Sequence, residues 1–409
     1  MSSTLLNRAF GLRDYKYVNT VYKGSRVYFH IEDCRPRCAS CHSEDVVRDG
    51  VYERTLRLPP IGLHRVFAVL PVPRLRCRSC GAKRQAEVRF AASMKSYSRA
   101  FARLVVELLV HCSVGFVAKF LGIGWDTVKD IHKAHLRKKY AKPPLKQLTV
   151  IAIDEIYLGK KLGYRTLVLD LTTGAVVYVA KGRDSKALLP FWKSLRGAGA
   201  RVEAVAMDMS KAYVSAVTKH LPEADIVFDP FHVVKLMNEQ LDDLRRELWR
   251  DADRPGRKTI KGTRWILLRG RENLSAEPGR NGKASETELL EEALSLNAPL
   301  ATAYYLKEDL RMLWLMSDLK SAKAWLRDWL KSAEASGIGQ MKKIADTIRS
   351  HRDGILAYFT HNITSGPMEG NNNKIGAMMR QTYGLRDEEY LELRIKSLHE
   401  VRLRLVGWV

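Results

Sequence analysis

Between Ser98 and Tyr140 apolar residues return every three or four positions, the spacing of one helical face. The stretches "SRAFARLVVELLVHCS", "VGFVAKFLG" and "GWDTVKDIHKAHLRKKY" predict three helices, with Gly122 and Gly124 bracketing a tight turn at Ile123. Short helix, glycine turn, basic helix is the order of a helix-turn-helix. Pro143 and Pro144 in "AKPPLKQ" stop this pattern, because proline cannot continue a helix, and a domain boundary is expected near 141–147. Beyond it the period changes. "LTVIAIDEIYLG" is an apolar, β-branched run, and "YRTLVLDLTTGAVVYVAKG" reads as two more strands around a Thr-Gly turn. "SKALLPFWKSLRG" is an amphipathic helix, "VEAVAMDMSKAYVSAVTKHL" a buried strand and a helix, and "ADIVFDPFHVVKLMNEQLDDLRREL" repeats that pair. Three strands, helix, strand, helix, strand, helix is the order of an RNase H-like fold. From roughly 251 to 345 the chain is helical and basic, interrupted by the loop "SAEPGRNGKASE".

The expected architecture is therefore multidomain α/β. It comprises a zinc ribbon over 1–95, a helix-turn-helix over 96–142, and an RNase H-like catalytic core over 148–250 and 346–409, interrupted by a mostly helical insertion over 251–345. The zinc assignment rests on four of the six cysteines. "CASC" (Cys38, Cys41) and "CRSC" (Cys77, Cys80) are two C-x2-C knuckles separated by a basic, strand-like stretch. Two such turns complete the four-thiolate set that a structural Zn2+ prefers, and a set of four leaves no open coordination position for catalysis. A pair of unrelated dithiols or a redox motif is the competing reading. Cys34 is read as a spare thiol, His42 as a surface residue and Cys112 as a core residue of an apolar helix.

Composition sharpens the choice of partner. With 46% hydrophobic residues among 409, the chain is long and apolar enough for several cores. No run approaches the roughly eighteen apolar residues of a membrane span, and "MSSTLLNRAFGLRDYKY" lacks the apolar block of a secretory signal, so a cytosolic location is expected. Lys and Arg number 69 against 45 acids, a formal charge of +24, which makes a polyanion, and nucleic acid first, the expected partner. On the third predicted helix Trp125, Thr127 and Lys129 fall at the groove-reading end, and Lys133, Arg137, Lys138 and Lys139 further along are placed to meet phosphates. An ordinary helical bundle with a solvated basic face is the alternative.

The strand order also gives three acids a meaning. An RNase H-like site takes one aspartate from the first strand and another from the fourth, here Asp154 and Asp208, and a third acid from a later helix, for which Glu369 is the natural offer. Together they would hold two Mg2+ ions, Mn2+ being a possible substitute, for attack on a phosphodiester. Each acid also has a structural reading as a cap or strand-end residue. Glu155 is expected on the opposite strand face. Asp170 precedes a turn. Asp229 in "DPFH" reads as an N-cap with proline following, against a place at the site edge shared with His232. The helix "SGPMEGNNNKIGAMMRQTYG" that carries Glu369 is poorly written for a helix, with Gly370, Gly376 and three asparagines, Asn371 to Asn373. Its Lys374 and Arg380 are candidate phosphate contacts. Tryptophans 249, 265, 314, 325 and 329 are read as core, with Trp265 a candidate for stacking on an unpaired base.

At these residues the chain resembles the ISL3-type insertion-sequence transposases of bacteria. The resemblance lies in the zinc knuckles, the helix-turn-helix, "IAIDEI", "MDMSKAY", "DPFHVVKLMNEQLDDLRREL" and "SGPMEGNNNKIGAMMRQTYGLRD". One departure is "SGPMEG", where the family pattern has an asparagine. The resemblance implies a DDE triad at Asp154, Asp208 and Glu369, and metal-dependent strand cleavage at terminal inverted repeats followed by strand transfer. It also implies double-stranded DNA as partner, both element ends and target, a homodimer or larger assembly on DNA, and a bacterial, nucleoid-associated location. Two other classes compete: a DNA-binding regulator with an inactive nuclease fold, and an RNase H-like nuclease that never joins strands.

Overall fold

The computed structural model describes residues 3–278, 284–382 and 385–400. They form two compact units, one of residues up to 141 with 381–393 and 400, the other of 142–380 with 394–399. Part of the loop 275–286 and Tyr383-Gly384 of the last motif lie outside the described residues, as does the chain after 400.

In the first unit a helix, α1 (Ser3–Phe10), leads into a sheet of β1 (Tyr15–Lys23), β2 (Arg26–Asp33), β3 (Val46–Ile61), β4 (His64–Cys77) and β5 (Lys83–Gln85). The order is β1-β2-β4-β3 with β5 on β4, and only the β2–β4 pair is parallel. Leu6, Phe10, Phe29, Ile31, Leu56 and Val66 form its core. The sheet is thus larger than the ribbon that the knuckle spacing predicts.

The three predicted helices are α2 (Arg99–Leu108), α3 (Val114–Leu121) and α4 (Trp125–Tyr140). Ser98 and Ser113 cap α2 and α3, their hydroxyls accepting the amides of Phe101 and Phe116 at 3.1 Å. Gly122 ends α3 at φ 63°, a left-handed conformation, and a Cβ there would also run into the Arg65 guanidinium. The α3 end is further fastened by Arg57 on β3, which donates to the Leu121 carbonyl at 3.0 Å. Cys112 does not sit in a helix. It lies in the turn after α2, where it packs partly buried against the helix-turn-helix core.

The second unit is built on a five-stranded sheet of β6 (Val150–Tyr157), β7 (Tyr164–Asp170), β8 (Val176–Lys181), β9 (Ala204–Met207) and β10 (Asp225–Phe228), in the order β10-β9-β6-β7-β8. β6, β7 and β8 are antiparallel neighbours, while β9 and β10 run parallel to β6, the mixed sheet of an RNase H-like core. Two helices, α5 (Leu189–Ala198) and α6 (Lys211–His220), share a core with Ile151 and Ile153 of β6. The long helix α7 (Pro230–Asp251) carries the helical insertion, made of α8 (Arg254–Ile260), α9 (Arg264–Leu268), α10 (Glu286–Ser295), α11 (Ala298–Met312), α12 (Leu319–Ala335) and α13 (Gly339–Ser350). Trp329 is buried there and donates to the Leu306 carbonyl at 2.8 Å, whereas Trp265 is 65% exposed beneath Arg264. Short helices α14 (Arg352–Leu356) and α15 (Tyr358–His361) return the chain to β10, and α16 (Gly366–Thr382) follows. The last helix among the described residues, α17 (Glu388–Ser397), begins in the first unit and ends in the second. No helix among the described residues is long and apolar enough to cross a membrane.

Candidate active site

Strand alternation puts Asp154 and Glu155 on opposite faces of β6, at the centre of the sheet. Asp154 turns toward α16. Its Oδ2 accepts the side-chain amide of Asn372 at 2.9 Å and its Oδ1 the backbone amide of Glu155 at 2.7 Å. Burial pushes the Asp154 carboxyl above the usual aspartate range, against the pull of these two donors and of the nearby His232; the charge of Asp208 pushes the same way as burial. Asp208 lies just past the end of β9, the strand next to β6, and its carboxylate accepts the Ser210 amide at 3.0 Å to open the turn into α6. The two aspartates come near one another because β9 ends just before Asp208 while the adjacent parallel strand β6 runs on through Asp154 to Tyr157.

Glu369 stands in the first turn of α16, exposed, one helical turn before Asn372. It makes no hydrogen bond or ion pair to another described residue. Among the described residues the three acids do not close into a group with ligand atoms within 4.8 Å; the four cysteines do. Glu155, on the other face, is half-buried and hydrogen-bonded to Tyr213 of α6, whose hydroxyl also meets Thr166 Oγ1 at 3.0 Å. Burial raises the Glu155 carboxyl as well.

The placement of α16 depends on a contact that sequence reasoning saw only in half. Asp229 caps α7 as its sequence suggests, Oδ1 accepting the Phe231 amide at 2.7 Å. Its Oδ2 also accepts both the amide and the hydroxyl of Ser365, at 2.6 and 2.7 Å, in a buried setting. One aspartate thereby ties the start of α16 to the β10–α7 junction. Asn371 is buried and donates to the Pro367 carbonyl at 3.0 Å. The run of asparagines reads in sequence as a set that could bond phosphates or orient a carboxylate, and Asn372 lies on Asp154; Ser365 carried no such signal. Lys374 and Arg380 are exposed on α16.

At the N-terminus, Cys38, Cys41, Cys77 and Cys80 bring their sulfurs within 4.8 Å of one another. The Cys38 thiol is held down to about 6, first by the Cys41 amide and then by that of Ser40, and the Cys80 amide lowers Cys77 in the same way. Backbone amides aimed at sulfur favour the thiolates of Cys38 and Cys77, the form that binds Zn2+, whereas Cys41, against the pull of the Ser43 amide, is pushed up to about 12 by the neighbouring Cys80 and Cys77. Cys34 is exposed and outside this set, and His42 is a surface residue beside Glu87 at 3.0 Å.

On α4 the structure changes the picture of the basic row. Lys129 and Lys133 both reach Asp387, at 2.9 and 2.8 Å, Lys133 also reaches Glu389 at 3.0 Å, and Arg137 forks onto Glu389 at 2.7 and 2.8 Å. Lys139 pairs with Glu400. Between these pairs, buried Tyr390 meets His132 Nδ1 at 2.7 Å. Although burial opposes it, Lys133 and then Lys129 keep the Asp387 carboxyl far below the usual range, and Arg137 and then Lys133 hold Glu389 down to about 2. Trp125 remains exposed and Thr127 half-buried at the start of α4.

Known proteins match this layout over most of the chain. A family model described as "Transposase" of the ISL3 type with a DDE domain matches residues 151–395. Two further models match, a "Helix-turn-helix domain of transposase family ISL3" over 86–136 and a "zinc-finger of transposase IS204/IS1001/IS1096/IS1165" over 35–80. The transposase for insertion sequence element IS1001 of Bordetella parapertussis is 34% identical over 370 residues, covering 90% of this chain and 87% of the relative. The transposase for IS1557 of Mycobacterium tuberculosis is 29% identical over 383 residues, covering 87% of this chain and 84% of the relative. A chain of the Drosophila P element transposase strand transfer complex is similar with a TM-score of 0.33 at 11% identity, over 62% of this chain and 77% of that one, too weak a likeness to argue from. With its zinc-ribbon cysteines, helix-turn-helix and DDE domain in one chain, this protein belongs to the ISL3 family of transposases.

Proposed function

We propose that this transposase cuts and joins DNA at the ends of its insertion sequence through Asp154, Asp208 and Glu369. The observation that carries the reading is the Asn372–Asp154 bond at 2.9 Å, which links the helix bearing Glu369 to the strand bearing Asp154. The donor set is all oxygen. Asp154 is largely desolvated beside the like charge of Asp208, with no cationic side chain in an ion pair to it, and such a set fits a hard divalent cation such as Mg2+. Asp154, Asp208 and Glu369 would hold it; when bound, the ion supplies charge stabilisation at the scissile phosphate. Asn372 orients the Asp154 carboxylate, and Asp229 positions α16 through Ser365. Lys374 and Arg380, exposed on the same helix, hold phosphates beside the reacting one.

In cleavage, water attacks phosphorus and the P–O bond to the 3'-oxygen breaks, leaving a 3'-hydroxyl. In transfer that hydroxyl attacks a second phosphodiester, and one P–O bond forms as another breaks. No covalent bond between protein and DNA is needed. The boundaries expected up to 345 are kept, while 381–393 group with the first unit and not with the catalytic core; the zinc ribbon and helix-turn-helix bind the terminal repeats, with Trp125 and Thr127 facing the groove and Trp265 available for stacking on an unpaired base. Pairing two ends calls for at least two copies on DNA.

The test is cleavage of a duplex carrying the element's own end, with Mg2+. Asp154→Ala, Asp208→Ala and Glu369→Gln are each expected to lower cleavage by at least a hundredfold while leaving duplex binding intact. Undiminished cleavage in any one removes that acid from the triad, and Glu155→Gln, off the site face, serves as the comparison.

A further inference from the structure

Most of the basic row on α4 is already matched within the protein, with exposed Lys138 left outside the pairs. Lys129, Lys133, Arg137 and Lys139 are matched by Asp387, Glu389 and Glu400, and Tyr390 is buried among them. The stripe of α4 left to solvent begins with two acids, Asp126 and Asp130, which repel phosphate. The helix that looks most basic in sequence is therefore poorly placed to carry the electrostatic part of DNA binding.

The ribbon sheet offers a better surface. Along the end of β4, Leu75 and Cys77 are buried while Arg74 and Arg76 are exposed, the period of two of a half-buried strand. The register sets Lys83 opposite Arg76 and Gln85 opposite Arg74, so all four side chains share one face. Arg78 continues the row in the knuckle. Arg76 and Arg78 have only distant acids, Asp49 at 3.9 Å and Asp45 at 3.7 Å, with more than half of each arginine side chain exposed. Arg74 and Lys83 have no partner among the described residues. Side chains two apart on a strand stand roughly 7 Å from one another. Guanidinium forks take phosphate oxygens in pairs. Cys77, between Arg76 and Arg78, belongs to the four-cysteine set, so zinc would hold the row rigid.

We propose that this β4–β5 face, Arg74, Arg76, Arg78 and Lys83, holds the phosphate backbone of duplex DNA, and that the α4 row instead seats the C-terminal helix. The proposal rests on the reading of the chain as a transposase acting on duplex DNA. It separates two roles that the sequence merges on one helix.

The experiment is a salt titration of full-length, zinc-loaded protein on a labelled duplex carrying the element's end. Each phosphate contact contributes about 0.9 to the slope of log affinity against log salt. Arg74→Ala/Arg76→Ala/Lys83→Ala is expected to reduce that slope by about 3 with zinc content unchanged, and Arg74→Lys/Arg76→Lys to keep it. Lys133→Ala/Arg137→Ala is expected to leave the slope at its wild-type value and lower Tm. If the triple variant sheds zinc, Arg74→Ala alone is read instead, with an expected loss of about 1. An unchanged slope in the sheet variants, or a loss confined to the α4 variant, overturns the proposal. Wild-type protein without salt-sensitive duplex affinity would overturn the DNA reading beneath it, a different result from either.

Discussion

Asp154 shows what one carboxylate is made to tolerate. It is largely desolvated, faces the charge of Asp208, and receives two hydrogen bonds that only partly offset this, so its carboxyl sits above the ordinary aspartate range. For an acid with a raised folded-state pKa, the charged folded form is the disfavoured one. The penalty is present at neutral pH and disappears once the pH falls below the ordinary aspartate range, where folded and unfolded chains both carry the proton. Asp154→Asn is therefore expected to raise Tm at pH 7, to have little effect in strong acid, and to abolish cleavage. Thermal melts across pH check this, and a lowered Tm at pH 7 would show that the carboxylate is stabilised in place. The proposal of Asp154 as a site residue comes from its strand. Its desolvation was not legible there, because burial depends on α16, which arrives more than two hundred residues later.

At the scale of elements, α16 is a helix written against its own propensity. Asn371 and Asn372 face inward, one bonding the Pro367 carbonyl and the other Asp154, so the residues that weaken the helix locally are those that seat it. Gly370 differs: a Cβ there meets nothing within 4 Å. Gly370→Ala is thus expected to stabilise the protein by about 1 kcal/mol, since alanine is the better helix former and no atom stands in its way. If the glycine keeps room for a DNA backbone beside Glu369, cleavage falls in the same variant while stability rises. Urea denaturation paired with the cleavage assay separates the two effects, and a destabilised variant would sink the account. The α4 row teaches the reverse lesson. Its charges were read from sequence as a phosphate surface, yet the i, i+4, i+8 stripe of Lys129, Lys133 and Arg137 suits an acidic partner within the protein equally well, and Asp387 and Glu389 supply it. Helical spacing states which charges share a face and says nothing of what covers that face.

For the whole molecule, the four cysteines organise the N-terminal sheet that the knuckle spacing only hinted at. Cys77 ends β4, and its partners Cys38 and Cys41 lie in the loop between β2 and β3, so one ion would join both ends of the knuckle pair. About one chelator-resistant zinc per chain is expected. Cys77→Ser should lose it and destabilise the sheet, because metal-binding free energy here is folding free energy; metal analysis with thermal melts of the wild type and variant decides it, and a variant with unchanged Tm would reduce the metal to an ornament of the fold.

What the sequence alone determined is local in origin: the strand and helix periods, the glycine turn of the helix-turn-helix, the paired knuckles, the order of elements around Asp154 and Asp208, and the excess of positive charge. Each follows from spacings of a few residues, over which backbone geometry dictates which side chains share a face. Only the tertiary structure decided that Asn372 bonds Asp154, that Asp229 anchors Ser365, that α17 occupies the charged side of α4, and that the arginines of β4 stay open. These are pairings between residues far apart in the chain, and nothing in a local pattern ranks one distant complementary partner above another; packing does.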